Sequence, residues 1–401
     1  MSNRPRAVER ISGAFARFVA LEAASTILLL AATVLALALA NSPLHDAYEH
    51  VLHLPLSLRF GSLGLEMSVG HFVNDALMAI FFFVVGMEIK RELVRGELSS
   101  PSRAALPVFG ALGGMIVPAA IYAALHWGGP ALRGWGIPMA TDIAFAVAAL
   151  GIFGARVPSG LKVFLLALAI ADDIGAVVVI ALFYAAGIAP QWLAVAAAGL
   201  ALCVLLPRVG VRSYGVYFLV GTLVWYATLR SGVHATIGGV LLGLLTPARP
   251  LAGAAHAPVD DLVHRLHPWV AFAIMPLFAL CNAGVALDAS SLGDAQTQRV
   301  AIAVVMGLLL GKPIGIALFA WLAVRSGIAE LPSRVSWPQI LGAGVLAGIG
   351  FTVALFIATL AFEDARFVAG AKAGILAASL LATVLGAALL ARVLPRSANQ
   401  E

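Results

Sequence analysis

Two adjacent aspartates, Asp172 and Asp173, stand in the middle of an otherwise apolar run, LALAIADDIGAVVVIALF. Consecutive helical residues differ by about 100° in direction, so both carboxylates can line one wide cavity. Two acids this close cannot both stay ionised cheaply, which favours proton binding, and their oxygens are hard ligands for a cation. The pair predicts a cation or proton site inside a helix. The alternative is a structural pair satisfied by neighbouring hydroxyl groups.

Lys312 is the basic residue that stands out in the same way, in the run GLLLGKPIGIALF. The flanking charges, Arg299 and Arg325, are each about 20 Å of helix rise away, too far for a lysine to reach the helix end. The ammonium group therefore needs an anionic partner, and the aspartate pair is the obvious candidate. A lysine that merely pairs two helices is the alternative. Pro313 is expected to weaken the helix beside it.

Two apolar segments look like helices that are interrupted in mid-span. In the first, GIPMATDIAFAVAALG, Thr141 and Asp142 follow Pro138; in the second, VLAGIGFTVALFIA, Gly348 and Gly350 loosen the helix. Such breaks are tolerated in a membrane only where they line a cavity. They predict a polar cavity between the two segments.

The two interrupted segments also resemble each other. Setting Phe145 on Phe351 gives four identities in ten positions, a weak match for segments rich in Ala and Val. It gains meaning because interrupted helices in corresponding halves mark the site of an inverted-repeat transporter. If the broken ends face each other, Asp142 is suited to offset paired helix N-termini and Lys312 paired C-termini.

The composition indicates which kind of secondary structure must hold these residues in place. The chain has 401 residues, 61% apolar and 11% charged, with a mean hydropathy of +0.99. Soluble domains carry about 25% charged residues, so this chain is expected to be a single all-α domain embedded in the lipid bilayer. Cys203 and Cys281 fall in apolar segments and form no metal-site spacing. The basic residues lie at segment ends, which argues against a nucleic-acid partner.

At about 20 residues per crossing, the apolar runs predict about 12 transmembrane helices. The predicted helices lie near 14–40, 71–89, 105–127, 138–154, 160–186, 192–207, 214–229, 232–247, 267–287, 299–325, 339–361 and 366–392. The first is interpreted as a retained helix, because it is too long for the core of a cleavable signal. Segment 41–70 alternates apolar residues and is expected to be an outer hairpin or loop. A contact between two copies through it, giving a homodimer, and a solvent-facing loop are equally consistent.

The distribution of basic residues predicts the orientation. With the N-terminus placed in the cytoplasm, 18 of the 25 Lys and Arg residues fall on the cytoplasmic side and five outside. Lys312 and Lys372 lie within the predicted helices. This bias is what the positive-inside rule requires. Both termini are therefore predicted to be cytoplasmic.

A second polar group is predicted at the cytoplasmic edge, where acids and histidines invite a pH response. Ordinary interfacial charge is the alternative explanation. His234, in SGVHATIGG near an outer helix start, is as consistent with packing as with sensing. The candidate pH-response residues are Glu88, Glu92, His234, Asp260, Asp261 and His264.

Taken together, these segments resemble the NhaA-type bacterial sodium/proton antiporters, an inverted-repeat family. The resemblance covers most of the chain in order and includes long stretches such as NDALMAIFFFVVGMEIKREL (74–93), ATDIAFAVAALGIFGARVP (140–158), LKVFLLALAIADDIGAVVVIALFYAAGI (161–188), SGVHATIGGVLLG (231–243), LHPWVAFAIMPLFALCNAGV (266–285), GLLLGKPIGIALF (307–319) and GIGFTVALFIATLAF (348–362).

The resemblance implies that Asp172 and Asp173 bind sodium or lithium and protons in competition. It implies that Lys312 pairs with the first aspartate and that Thr141 and Asp142 are the polar pair of the first unwound helix. It also implies two protons per sodium, an electrogenic cycle, pH regulation, a bacterial inner membrane location and no cofactor beyond the transported ions. One departure stands out: where the family has a further acid four residues before the HPW histidine, this chain has Val263.

The prediction is therefore a secondary antiporter that exchanges cytoplasmic sodium for external protons by alternating access, and not an enzyme. Three alternatives remain. A sodium-coupled carrier for an organic anion also uses broken helices. An intramembrane aspartyl protease uses two membrane aspartates, but on two different helices. A channel lined by Glu and His would conduct far faster than a carrier.

Overall fold

The computed structural model describes residues 7–60, 63–185, 187–211, 213–250, 256–286 and 294–395. Nearly all regular structure there is helical. The helices, numbered in chain order, are α1 Ala7–Ala40, α2 His45–His53, α3 Val69–Arg95, α4 Pro101–Leu125, α5 Ile143–Gly151, α6 Ser159–Phe183, α7 Pro190–Leu205, α8 Tyr214–Arg230, α9 Ala235–Leu245, α10 Pro258–Asn282, α11 Ala295–Arg325, α12 Trp337–Ala347, α13 Phe351–Ala361 and α14 Ala365–Val393.

Several helix starts follow directly from the local sequence. Pro101, Pro190 and Pro258 stand in the first turn, where their missing N–H group is not needed. Asp294 caps α11, accepting hydrogen bonds from the N–H groups of Gln296 and Thr297 at 3.1 and 2.9 Å. Except for the start at Pro258, these starts lie within a few residues of those predicted from the apolar runs.

Six helices of the described chain are long and apolar enough to cross a membrane, and nine candidate spans result if each of three bent pairs is counted once. The chain is thus a multi-pass membrane protein. The helix predicted at 267–287 begins at Pro258 instead, because the polar stretch before it belongs to the amphipathic helical segment Pro258–Trp269. The residues 186 and 287, where two predicted helices end, lie outside the described residues.

Segment 41–70 contains a hairpin preceded by a short helix. Strands β1 Pro55–Phe60 and β2 Leu63–Ser68 pair antiparallel, with Pro55 opposite Ser68. The short helix α2 turns away from α1 by 114°. It is docked by Tyr48, whose hydroxyl group donates to the Leu280 carbonyl oxygen at 2.6 Å.

A long helix, a broken pair and a second long helix occur twice in the same order. The first set is α4, the 3₁₀ half-helix Pro130–Met139 with α5, and α6; the second is α11, α12 with α13, and α14. The broken pairs bend by 41° and 48° at their breaks. The predicted segments 138–154 and 339–361 are therefore each two half-helices. This order matches the repeats predicted from the Phe145 and Phe351 segments.

Candidate functional site

The two charges that are most costly in an apolar helix lie against each other. Lys312 Nζ is 2.7 Å from Asp172 Oδ2, and the two side chains are 0% and 1% exposed. The Lys312 ammonium also donates to the Met139 carbonyl oxygen at the end of the first half-helix. An ion pair buried this deeply is tolerated only with such additional hydrogen bonds. Lys312, on α11, thus links Asp172 on α6 to the end of the half-helix Pro130–Met139.

Within the part of the chain that the structure describes, the aspartate pair has few hydrogen-bond partners besides Lys312. Asp172 Oδ1 is buried without a hydrogen bond, although Thr141 lies beside the carboxylate. Asp173 is also buried. Among the described residues, no hydrogen-bond donor or ion-pair partner satisfies its side chain. Buried acceptors that are left unpaired cost free energy, so this arrangement is suited to an exchangeable proton or cation.

Close packing between α4 and α11 determines where Lys312 lies. Gly113 and Gly315 approach so closely that a Cβ atom on either would collide with the carbonyl group of the other. At the next residue of α4, a Cβ atom at Gly114 would lie 3.8 Å from Lys312 Cε. A π-helical turn, Gly307–Gly311, immediately precedes the lysine and Pro313. The helix therefore adjusts to the proline with a wider turn, as π turns at functional sites often do.

Asp142 caps both second half-helices. Its Oδ1 accepts from the Phe145 N–H group at 3.3 Å, which caps α5. Its Oδ2 accepts from the N–H group and the hydroxyl group of Thr352, at 3.2 and 2.5 Å, at the start of α13. One carboxylate thus lies at two helix N-termini, where the helix dipoles favour a negative charge.

The two breaks are joined through their backbones. The Asp142 N–H group donates to the Ile349 carbonyl oxygen at 2.7 Å, and the Thr141 hydroxyl group donates to the Ala347 carbonyl oxygen at 2.9 Å. Gly348 is required by space, because a Cβ atom there would lie 2.5 Å from the Leu308 carbonyl oxygen. The rings of Phe145 and Phe351 also meet, with centroids 4.8 Å apart.

His234 lies in a separate polar cluster. It caps α9 and its Nε2 is 3.2 Å from Asp75 Oδ1. Asp75 lies in a π-helical turn of α3, and its carbonyl oxygen accepts from the Trp225 indole N–H at 2.9 Å. Beside it, the side-chain amides of Asn74 and Asn282 donate to each other. Both histidine sensing and packing remain consistent with this cluster.

The structure brings together only part of the predicted cytoplasmic group. Glu88 Oε1 lies 3.7 Å from His267 Nδ1, and Asp260 pairs with Arg95 at 2.8 Å. Glu92 Oε1 accepts from the backbone N–H group of Glu97. In the described ranges, the side chains of Asp261 and His264 take part in no hydrogen bond or ion pair.

Three groups at the site could not be identified as site residues from the sequence. Thr352 donates to Asp142, Ser379 Oγ accepts from the Phe351 N–H group at 3.3 Å, and the Met139 carbonyl group contacts Lys312. Thr352 and Ser379 each share an apolar helix with another hydroxyl residue, and a carbonyl group is common to every residue. These groups contribute to the site only because segments that are far apart in the sequence contact each other in the fold.

Comparison with known proteins identifies the family. The sequence model of the family described as Na+/H+ antiporter 1 matches residues 16–390. The chain is 50% identical to the Na(+)/H(+) antiporter NhaA of Cronobacter sakazakii, over 95% of this chain and 98% of that protein. It is 48% identical to the Na(+)/H(+) antiporter NhaA of Escherichia coli O139:H28, over 92% and 95%, and 44% identical to that of Rhodopirellula baltica, over 98% and 97%.

Proposed function

Because the chain belongs to the Na+/H+ antiporter 1 family, we propose that it extrudes cytoplasmic sodium or lithium in exchange for external protons at Asp172 and Asp173. The observation that supports the proposal is the buried aspartate pair beside Lys312, in which Asp172 Oδ1 has no hydrogen-bond partner within the described residues. The relatives are named as antiporters, which are transporters, and the protease and channel alternatives find no comparable support.

In the proposed cycle, sodium and protons compete for the two carboxylates. Deprotonated Asp172 and Asp173 accept a partly dehydrated cation, while Lys312 gives up part of its contact with Asp172. Hard oxygen ligands suit such an ion. After the site has turned to the other side of the membrane, protons displace the cation. The broken helices at 139–142 and 347–351 are the elements that move, since the helical hydrogen-bond pattern is interrupted there.

The finer features are part of the same proposal. Two protons move per sodium ion, so each cycle transfers net charge and responds to the membrane potential. Glu88, Glu92, His234, Asp260, Asp261 and His264 adjust the activity to pH. The protein lies in a bacterial inner membrane with both termini in the cytoplasm, as the bias of basic residues requires.

The test is sodium-dependent proton movement in proteoliposomes. Replacing both acids, Asp172→Asn with Asp173→Asn, is expected to abolish exchange, because neutral amides neither release a proton nor balance the cation's charge. Asp46→Asn, an exposed acid on α2, serves as the matched control and should exchange as the unaltered protein does. Exchange that survives in the double variant overturns the site assignment.

Stoichiometry is tested separately by imposing a potassium diffusion potential with valinomycin. At equal pH on the two sides, an inside-negative potential should accelerate proton entry coupled to sodium exit when two protons exchange for one sodium ion. A rate that does not respond to the potential indicates electroneutral exchange, and then the two-proton cycle is wrong while the site assignment stands.

A further inference from the structure

The half-helix Pro130–Met139 is an unusually long 3₁₀ run of 10 residues. Its hydrogen-bond geometry is poorer than that of an α-helix, and runs beyond three or four residues are uncommon. Its last residue, Met139, presents the carbonyl oxygen that Lys312 contacts. The half-helix leads directly into Thr141 and Asp142. Its position along its own axis therefore determines the geometry around the aspartate pair.

Two tyrosine hydroxyl groups hold the first turn of this half-helix. Tyr122, at the end of α4, donates to the Ala131 carbonyl oxygen at 3.1 Å. Tyr184, just after α6, donates to the Arg133 carbonyl oxygen at 2.9 Å. Both side chains are buried. The half-helix is thus tied to α6, which carries the aspartates, and to α4, which packs against the helix of Lys312.

Two glycines leave the space that these hydroxyl groups occupy. A Cβ atom at Gly134 would lie 2.5 Å from the Tyr122 hydroxyl oxygen, and one at Gly136 would lie 2.7 Å from that of Tyr184. Each tyrosine therefore has a carbonyl acceptor in the half-helix and, three residues further along the chain, a glycine that leaves room for its hydroxyl group. The two glycines are a second observation besides the hydrogen bonds, because a side chain at either position would occupy the space of a tyrosine hydroxyl group.

We propose that Tyr122 and Tyr184 are positioning residues that set the affinity of the site for sodium; this deepens the function proposed above and rests on it. Their hydroxyl groups keep the Met139 carbonyl oxygen on Lys312, so the ammonium is shared between that oxygen and Asp172. If the half-helix shifts, Lys312 loses one acceptor and binds Asp172 more strongly. Sodium then competes less well for the carboxylate.

The experiment compares Tyr122→Phe and Tyr184→Phe with the unaltered protein in proteoliposomes. Each change removes one hydroxyl group and keeps the ring. Each should raise the sodium concentration for half-maximal exchange about three- to tenfold, the equivalent of one net hydrogen bond, with the maximal rate within about twofold. Tyr217→Phe is the matched control, because this tyrosine lies on α8 and its hydroxyl group donates at 3.1 Å to the carbonyl oxygen of Val211, in the loop before that helix. It should leave both quantities unchanged.

A merely structural role gives a different result. In that case the two variants lose folded protein while the half-maximal sodium concentration of the folded fraction stays within about twofold of the unaltered protein, and the proposal is overturned. Stabilisation of the purified protein against heat by sodium provides a second measurement that needs no transport. It should require correspondingly more sodium in both variants. Failure here leaves the test on Asp172 and Asp173 unaffected, so the two proposals fail separately.

Discussion

Among single residues, Asp142 has two structural tasks at once. One carboxylate oxygen accepts from the Phe145 N–H group and the other from Thr352, so each second half-helix begins on the same side chain. An asparagine of the same shape has one acceptor oxygen and a donor amide group. It can satisfy one helix start, but its amide would face the donors of the other.

Replacing Asp142 with Asn is therefore expected to lower the free energy of unfolding by about 1–3 kcal/mol, the cost of leaving a buried polar group unpaired. Sodium exchange should fall as well, because the two breaks separate. Thermal unfolding in detergent and exchange in proteoliposomes measure the two effects. Asp46→Asn is the control, since that acid is exposed on α2 and its side chain makes no hydrogen bond or ion pair within the described residues. An Asp142→Asn protein as stable as the control contradicts the double cap.

The charged residues of the site were predictable, and their uncharged partners were not. Asp172, Asp173 and Lys312 stand out because a charge inside an apolar helix must have a partner, whatever the fold. Thr352 and the Met139 carbonyl group become partners only when segments about 170–210 residues apart meet. Local sequence patterns contain no information about such meetings.

Among the helices, the contact between α4 and α11 tolerates the least change. Gly113 and Gly315 touch backbone to backbone, and Gly315 lies one turn after Lys312. A methyl group at either position forces the two helices apart and moves the lysine with them.

Gly315→Ala is expected to destabilise the protein by about 1–3 kcal/mol, the usual cost of overpacking, despite the better helix propensity of alanine. Gly221→Ala is the matched control. It also lies within a helix, but a Cβ atom there meets Leu242 Cδ1 at an ordinary 3.5 Å, so its stability should stay equal or rise by up to about 1 kcal/mol. Unfolding temperatures of both variants decide the question. Equal temperatures for the two variants would contradict the close contact.

Long apolar helices were predicted with boundaries that differ by a few residues, because lipid-facing segments are apolar over their whole length. Amphipathic elements were harder. The helix α2 and the first turns of α10 carry as many polar as apolar residues, so a search for apolar runs passes over them. The breaks at 139–142 and 347–351 were predicted from Pro and Gly. Their mutual contact was a hypothesis that required the three-dimensional structure.

For the molecule as a whole, the orientation in the membrane depends on the basic residues between helices. Their bias predicts that the loop after α3 is cytoplasmic and the hairpin β1–β2 external. The count of 12 helices depends on the same assignment. It extends beyond the six to nine candidate spans that length and composition identify.

This orientation predicts which side of the membrane single cysteines reach. In a background with Cys203→Ser and Cys281→Ser, a cysteine at Ser57 should react with a membrane-impermeant thiol reagent in intact cells. One at Ser102, also exposed, should react only after the membrane is permeabilised. Labelling of both in intact cells, or of neither, contradicts the orientation.

The double cap on Asp142 also has a consequence for the order of events during synthesis. Thr352 follows Asp142 by 210 residues, which a ribosome adds in about 10–40 s. During that interval, one oxygen of the Asp142 carboxylate has no partner from the second repeat. The first repeat is therefore synthesised before its partner at this contact, and the two breaks can meet only after α13 has been made.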